Sequence, residues 1–271
     1  MLVLKNPKIA VPVVLFAGVV WSFGPLVVRY MDNPHLIPWQ YIFGRGLTIF
    51  ILLNLYLFFE EGKDFYKNYF KIGISGLVGG SGLGVAMISF MFSITNTSAA
   101  ITLLCLAAMP FFTALLAFLF LKEKISLNVW VSIIIASVGI GIMAIGNTSD
   151  TSLIGFVFGI TSSVGFSVFS VSLRWRKETP KFTTTAFAGL FCVVFASIMI
   201  LSKDLVFFSS SYNSSLFSLH GTLVCLGLIL YSIGSKAIPA AEYKVSSVEV
   251  QKISNQFKTE VKPKENQAEV N

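Results

Sequence analysis

The chain has 271 residues, 55% of them hydrophobic and 12% charged, with a mean hydropathy of +0.78. A soluble domain carries about 25% charged residues, so neither a soluble core nor a separate soluble domain fits this composition. The net charge of +7 invites a nucleic-acid reading, but the basic residues sit in the connections between apolar runs and in the tail, where they report membrane topology instead.

Eight apolar stretches follow one another: 9–31, 36–59, 71–94, 98–121, 126–146, 151–173, 182–202 and 216–238. A hydrocarbon core about 30 Å thick needs roughly 20 apolar residues in a helix, against about 9–11 in a transmembrane strand. The predicted fold class is therefore all-α integral membrane, with eight transmembrane helices. The first run has a basic start but is long and lacks a small-x-small cleavage site, so it reads as an uncleaved helix.

The first span carries Trp21, Ser22, Gly24 and Pro25. A proline there removes one backbone hydrogen bond and permits a kink, and the released carbonyl can face a substrate in a water-lined cavity. Packing for shape alone is the other reading. The second span holds Tyr41 and Arg45. An arginine at a helix centre costs at least about 2.5 kcal/mol on insertion scales, so Arg45 should meet a cavity or a partner. It reads either as a substrate-anion or gating contact or as an anchor to helix-end carbonyls or head groups. Residues 60–70 alternate charged and aromatic side chains, as at a membrane interface.

In the third span Gly76, Gly80 and Gly84 share one face and predict close helix packing. A nucleotide-loop reading of Gly80-Ser-Gly82-Leu-Gly84 fails, because no strand precedes it and no acidic residue follows at the required distance. Pro110 in the fourth span has the same two readings as Pro25. Gly155, Gly159, Ser163 and Ser167 repeat the small-residue stripe in the sixth span. Residues 203–215 are Ser-rich and read as a solvated loop, and 243–271 as a polar tail, disordered or at most a loose helix.

Cys105, Cys192 and Cys225 fall inside spans with neither disulfide nor metal-ligand spacing. His35 and His220 are placed near the outer ends of spans. No paired carboxylates, Cys-His sets or HExxH spacing occur, so no enzyme, cofactor or metal is expected. Lys5, Lys8, Lys63, Lys67, Lys71, Lys122, Lys124, Arg174, Arg176, Lys177, Lys181 and the tail lysines fall on one side, against Arg29 and Lys203 on the other. The positive-inside rule then puts both termini in the cytoplasm of a multi-pass protein of the cell (inner) membrane.

An internal repeat sets Leu15–Arg29 against Ile160–Arg174, with an aromatic-Ser pair and an Arg coinciding, and Ser98-Ala99-Ala100 against Pro239-Ala240-Ala241. A repeated five-span unit must insert upside down, the inverted-repeat design in which substrate binds between halves. The expected organisation is a first unit at 9–146, an incomplete second unit of three helices at 151–242, and the tail.

These residues resemble the drug/metabolite transporter superfamily, specifically the EamA-type permeases. The resemblance rests on Trp21-Ser-Phe-Gly-Pro25 with Arg29, on Pro38 with Arg45, and on Thr97-Ser98-Ala99-Ala100 with Pro110, Ala114, Ala117 and Leu121-Lys-Glu123. Gly139-Ile-Gly141 closes the first unit, and Ala237-Ile-Pro239-Ala-Ala-Glu242 looks like entry into a ninth span. It implies ten helices in two inverted units, cytoplasmic termini, and carriage of small metabolites such as amino acids. The polar tail departs from that pattern, and a truncated frame is the expectation, with lower stability than a ten-helix relative.

The reading is a secondary transporter of small polar metabolites working by alternating access, with Trp21, Ser22, Pro25, Tyr41, Arg45 and Pro110 as substrate-pathway residues and Gly76, Gly80, Gly84, Gly155 and Gly159 as helix-packing residues. The alternative is a non-transporting membrane scaffold or an inactive truncated transporter. The expected partners are a small-molecule substrate, membrane lipid and a second copy of the chain, with no nucleic acid.

Overall fold

The computed structural model describes residues 7–123, 152–176 and 178–235, with positions 130, 131, 134, 135, 138, 139 and 142. The predicted fifth span and the predicted tail therefore lie mostly or wholly outside the described residues. Among the described residues the secondary structure is helical, without strands.

The helices are α1 (Pro7–Arg29), α2 (Pro38–Glu61), α3 (Lys67–Lys71), α4 (Gly73–Asn96), α5 (Ala99–Ala107), α6 (Met109–Leu121), α7 (Leu153–Trp175), α8 (Lys181–Ser202) and α9 (Ser211–Ser235). Six stretches among them are long and apolar enough to cross a bilayer: 38–71, 73–96, 99–121, 153–175, 181–202 and 211–231. The apolar part of α1, Leu15–Arg29, is shorter.

Local chemistry sets the boundaries. Pro38 opens α2 in a helix-ready conformation. Gly62 ends it at φ +69°, a region costly for residues with a Cβ, and its N–H bonds Phe58 O. A 3-10 turn over Gly62–Tyr66 then leads into α3, so the predicted interfacial loop is helical. Ser98 caps α5 by accepting from Ile101 N at 3.3 Å.

One predicted span keeps its bounds but is divided, and one predicted boundary is corrected. The fourth span is two helices: at Ala108 the chain makes one tight turn, its N–H reaching Cys105 O at 3.1 Å, and Pro110 starts the second segment. Pro110 has no N–H for an α-type bond, which favours the break there. The loop after α8 ends at residue 210, because Ser210 Oγ accepts from Asn213 N at 3.2 Å and starts α9 five residues before the predicted span.

The chain forms two compact units, residues 20–226 and a smaller one of 1–19 with 227–271. In the smaller unit the described residues are helical, with Ala17 buried and Leu15 and Phe16 exposed. In the larger unit α4 packs most extensively on α7 and also on α8; α2 packs on α8, and α5 and α6 lie on α7. Small residues make these approaches close. A Cβ on Gly165 would stand 2.5 Å from Gly82 O, and one on Gly46 3.0 Å from Gly189 O. In lipid such van der Waals contact drives association, because apolar burial alone gives no advantage over the lipid tails. Outward-facing Phe59, Phe120 and Leu153 are each more than 70% exposed, a surface suited to hydrocarbon and a liability in water.

Candidate functional site

Tyr41 and Arg45 are one helical turn apart on α2 and so share a face. Both are buried, at 0% and 4% exposure. Arg45 Nη1 donates to Tyr41 Oη at 2.9 Å and Nη2 to the Met87 carbonyl of α4 at 2.7 Å. The guanidinium carbon lies 4.9 Å from the Tyr41 ring centre and 5.9 Å from that of Phe90. Hydrogen bonds to a charged group contribute about 1.5–3 kcal/mol each, so two of them offset an insertion cost of about 2.5–3.5 kcal/mol. Arg45 is held in the interior and does not snorkel to the head groups.

His220 on α9 completes the cluster. Its Nδ1 lies 2.6 Å from Tyr41 Oη, and the residue is 3% exposed. Because arginine only donates, Tyr41 Oη accepts from Arg45, and toward His220 Nδ1 the hydroxyl donates or accepts according to the imidazole tautomer. Phe90 meets the imidazole edge-on, and Phe217 meets the Tyr41 ring edge-on. On α1, a Cβ at Gly24 would fall 2.6 Å from His220 Nε2, so only glycine leaves room for the ring. Four helices thus converge: α1 with Gly24, α2 with Tyr41 and Arg45, α4 with Met87 and Phe90, and α9 with His220.

The cluster holds a positive charge without a carboxylate. Among the described residues the acidic side chains are at helix ends or in turns: Asp32, Glu60, Glu61, Asp64, Glu123, Glu178 and Asp204. Glu123 pairs with Arg174 and Asp64 with Lys67, far out on the surface. No group of three or more His, Cys, Asp or Glu among the described residues forms a metal site.

The EamA-like transporter family matches residues 8–145. The chain belongs to this family. Two relatives, each named an uncharacterized transporter, come from Helicobacter pylori strains J99 and 26695. Each is 27% identical over 164 residues, covering 59% of this chain and 52% of the relative. The chain spans about half the length of these curated relatives. No solved structure gives a significant match. Membership of the EamA-like family makes the chain a multi-pass member of a membrane-transporter family.

The other singled-out residues of this EamA-like chain separate into distinct places. Trp21 Nε1 donates to Val224 O at 3.4 Å, one turn along α9 from His220. Pro25 is buried on the same helix, while Ser22 is exposed. Pro110 is exposed at the α5–α6 break. There the serines of α7 meet the carbonyls around it. Ser163 donates to Cys105 O, Ser167 to Met109 O at 3.0 Å, and Thr113 to Ser167 Oγ at 3.1 Å. Gly155 and Gly159 continue that face against Asn96–Thr97 and Cys105. Gly76, Gly80 and Gly84 face α8, meeting Thr184, Phe187 and Phe191, whereas Gly79 and Gly82 face α7.

Sequence reasoning missed His220 as a core residue. Starting the eighth span at 216 put it near an outer end; the helix starts at 211, so His220 lies well inside. The Ser210 cap with Asn213 at the third helical position is the signal that would have found it. It also missed Gln40, beside Tyr41, and Thr183 on α8. Both are buried, and Gln40 Oε1 and Thr183 Oγ1 have no hydrogen-bond partner among the described residues.

Proposed function

We propose that the chain is a secondary transporter of small polar metabolites, amino acids or related compounds, working by alternating access across the cell membrane. The single observation that carries this is Arg45. A guanidinium is buried where four helices meet, its donors only partly used by Tyr41 and Met87, with no carboxylate among the described residues to neutralise it. Buried charge in a membrane bundle is retained for function, and a passing anionic group is the natural counter-charge. Tyr41, Arg45 and Trp21 would line the pathway, with Ser22, Pro25 and Pro110 as further candidates. The partners would be the substrate and surrounding lipid.

An inverted-repeat arrangement accompanies this reading. The α4–α7 contact has a counterpart in the α9–α1 contact made by Trp21 with Val224 and Gly24 with His220, as two oppositely inserted units require. Basic residues at the ends near α3, α6 and α7 support the cytoplasmic assignment of that side. The scaffold alternative takes its motive from the glycine stripes together with the expected ninth and tenth spans being missing; the stripes on α4 and α7 pack against helices of this chain.

The test is an untargeted comparison of metabolites inside and outside cells with the gene, without it, and with Arg45→Ala at equal membrane abundance. A small polar metabolite should redistribute with the intact gene alone. Identical profiles in all three would overturn the transport reading.

A further inference from the structure

We propose that His220 is the proton site of this protein and Arg45 the seat of a substrate carboxylate, the two binding cooperatively through Tyr41, so that a carboxylate and a proton move together. This rests on the transport reading above and names its substrate group and its coupling ion.

The chemistry follows from the shared oxygen. Tyr41 Oη accepts from Arg45 at 2.9 Å and lies 2.6 Å from His220 Nδ1; in the proposed resting state its hydrogen goes to that nitrogen, so the ring is neutral with its proton on Nε2. Histidine is the side chain that changes charge near neutral pH, and among the described residues His220 is the histidine inside the bundle, His35 being exposed in a turn. The groups that face the imidazole are known element by element. From α2 come Tyr41 and, through it, Arg45; from α4, the apolar Phe90; and from α1, Gly24, while Phe217 of α9 packs on the Tyr41 ring. Cys192 of α8 lies near Arg45, its thiol directed at Gly84 O at 3.6 Å and Met87 Sδ at 3.9 Å. None of these supplies a negative charge.

A proton from water on the open side binds the Nδ1 lone pair and forms one N–H bond. That N–H now points at Tyr41 Oη, which already accepts from Arg45. The tyrosine hydrogen must turn to another acceptor, and two cations then stand on either side of one oxygen. A carboxylate meets both needs. One of its oxygens takes the Tyr41 hydrogen, and its charge pairs with Arg45, whose planar fork suits two parallel bonds. No bond breaks other than that releasing the proton from its water carrier. Without the anion the proton is unwelcome, and without the proton Tyr41 has no hydrogen to spare for the anion. By linkage, each ligand must raise the affinity for the other by the same factor.

The test reads His220 directly. The full chain carrying His35→Gln, a change in an exposed turn, is labelled with 15N-histidine and placed in lipid bilayers. Solid-state NMR then follows the single imidazole from pH 8 to pH 5 in chloride and in formate, the smallest carboxylate. Expected are a neutral Nε2–H ring at pH 8 and a proton affinity roughly tenfold higher in formate than in chloride, one pH unit. Arg45→Gln should abolish the formate effect, and Tyr41→Phe should uncouple the two while leaving His220 able to titrate. A ring that stays neutral to pH 5 in formate, or a titration indifferent to formate, overturns the proposal. The unaltered core is probed in the first comparison, so misfolded variants cannot decide the matter. A failed metabolite comparison with a formate-sensitive titration would reject transport and leave the linked site standing; the opposite pair of results would leave a transporter coupled in some other way and reject this proposal.

Discussion

Tyr41 and His220, 179 positions apart in the chain, meet at 2.6 Å, the hydroxyl of α2 on the imidazole of α9. The contact ties the second span to the helix furthest from it among those described, and it does so through the side chain that also receives Arg45. Removing the hydroxyl leaves a buried ring nitrogen without its hydrogen-bond partner, at a cost of about 1–3 kcal/mol. Tyr41→Phe should therefore lower thermal stability in detergent by that order, and His220→Ala combined with it should cost less than the sum of the two single changes. Additive losses would show that the bond contributes nothing of its own.

Arg45→Ala and Arg45→Lys separate charge from geometry. Lysine keeps a positive charge but not the fork that spans Tyr41 Oη and Met87 O. Both variants should lose metabolite redistribution at least tenfold, and Arg45→Lys should retain more protein in the membrane than Arg45→Ala. Redistribution by Arg45→Ala at the wild-type rate would remove Arg45 from the pathway.

Gly165→Ala sets a methyl 2.5 Å from the Gly82 carbonyl and 3.0 Å from Ala86 Cβ. Backbone cannot give way as a side chain does, so α4 and α7 must part, with an expected loss of about 1–3 kcal/mol. Gly18→Ala meets nothing within 4 Å and serves as the control that should leave thermal unfolding in detergent unchanged.

Orientation can be read with added cysteines. The native thiols, Cys105, Cys192 and Cys225, are buried and give little background. Asp204→Cys should react with an impermeant maleimide in intact cells, and Lys63→Cys only in inverted vesicles. The reverse labelling pattern would place the basic ends outside and overturn the cytoplasmic assignment of the termini.

Much of the cluster was legible before the fold. An arginine one turn after a tyrosine inside an apolar run has few destinations, and Arg45 drew notice on cost alone. His220 was hidden by its neighbours: Ser211-Tyr-Asn-Ser-Ser215 reads as a loop by polarity, yet these residues form the first turns of α9 because serine and asparagine supply the cap. Pro110 was visible, but the division of the fourth span was not, because the α7 hydroxyls that serve the carbonyls around the break come from a distant segment. Glycine spacing announced close packing on α4; only the fold distributes Gly76, Gly80 and Gly84 to α8 and Gly79 and Gly82 to α7.

That distribution has a mechanical consequence. Toward α8, the rings of Phe187 and Phe191 sit in the notches left by Gly80 and Gly84, and seated rings resist sliding. Toward α7, the Gly82 and Gly165 backbones lie close against each other, Val168 and Ser172 sit where Gly82 and Gly79 leave room, Phe92 stacks on Phe158 at 5.2 Å, and Ser162 donates to Ala86 O at 2.9 Å. Both faces of α4 are thus keyed into their neighbours. A displacement of α4 by one helical rise, about 1.5 Å, would unseat Phe187 and Phe191 on the α8 side and part Phe92 from Phe158 on the α7 side.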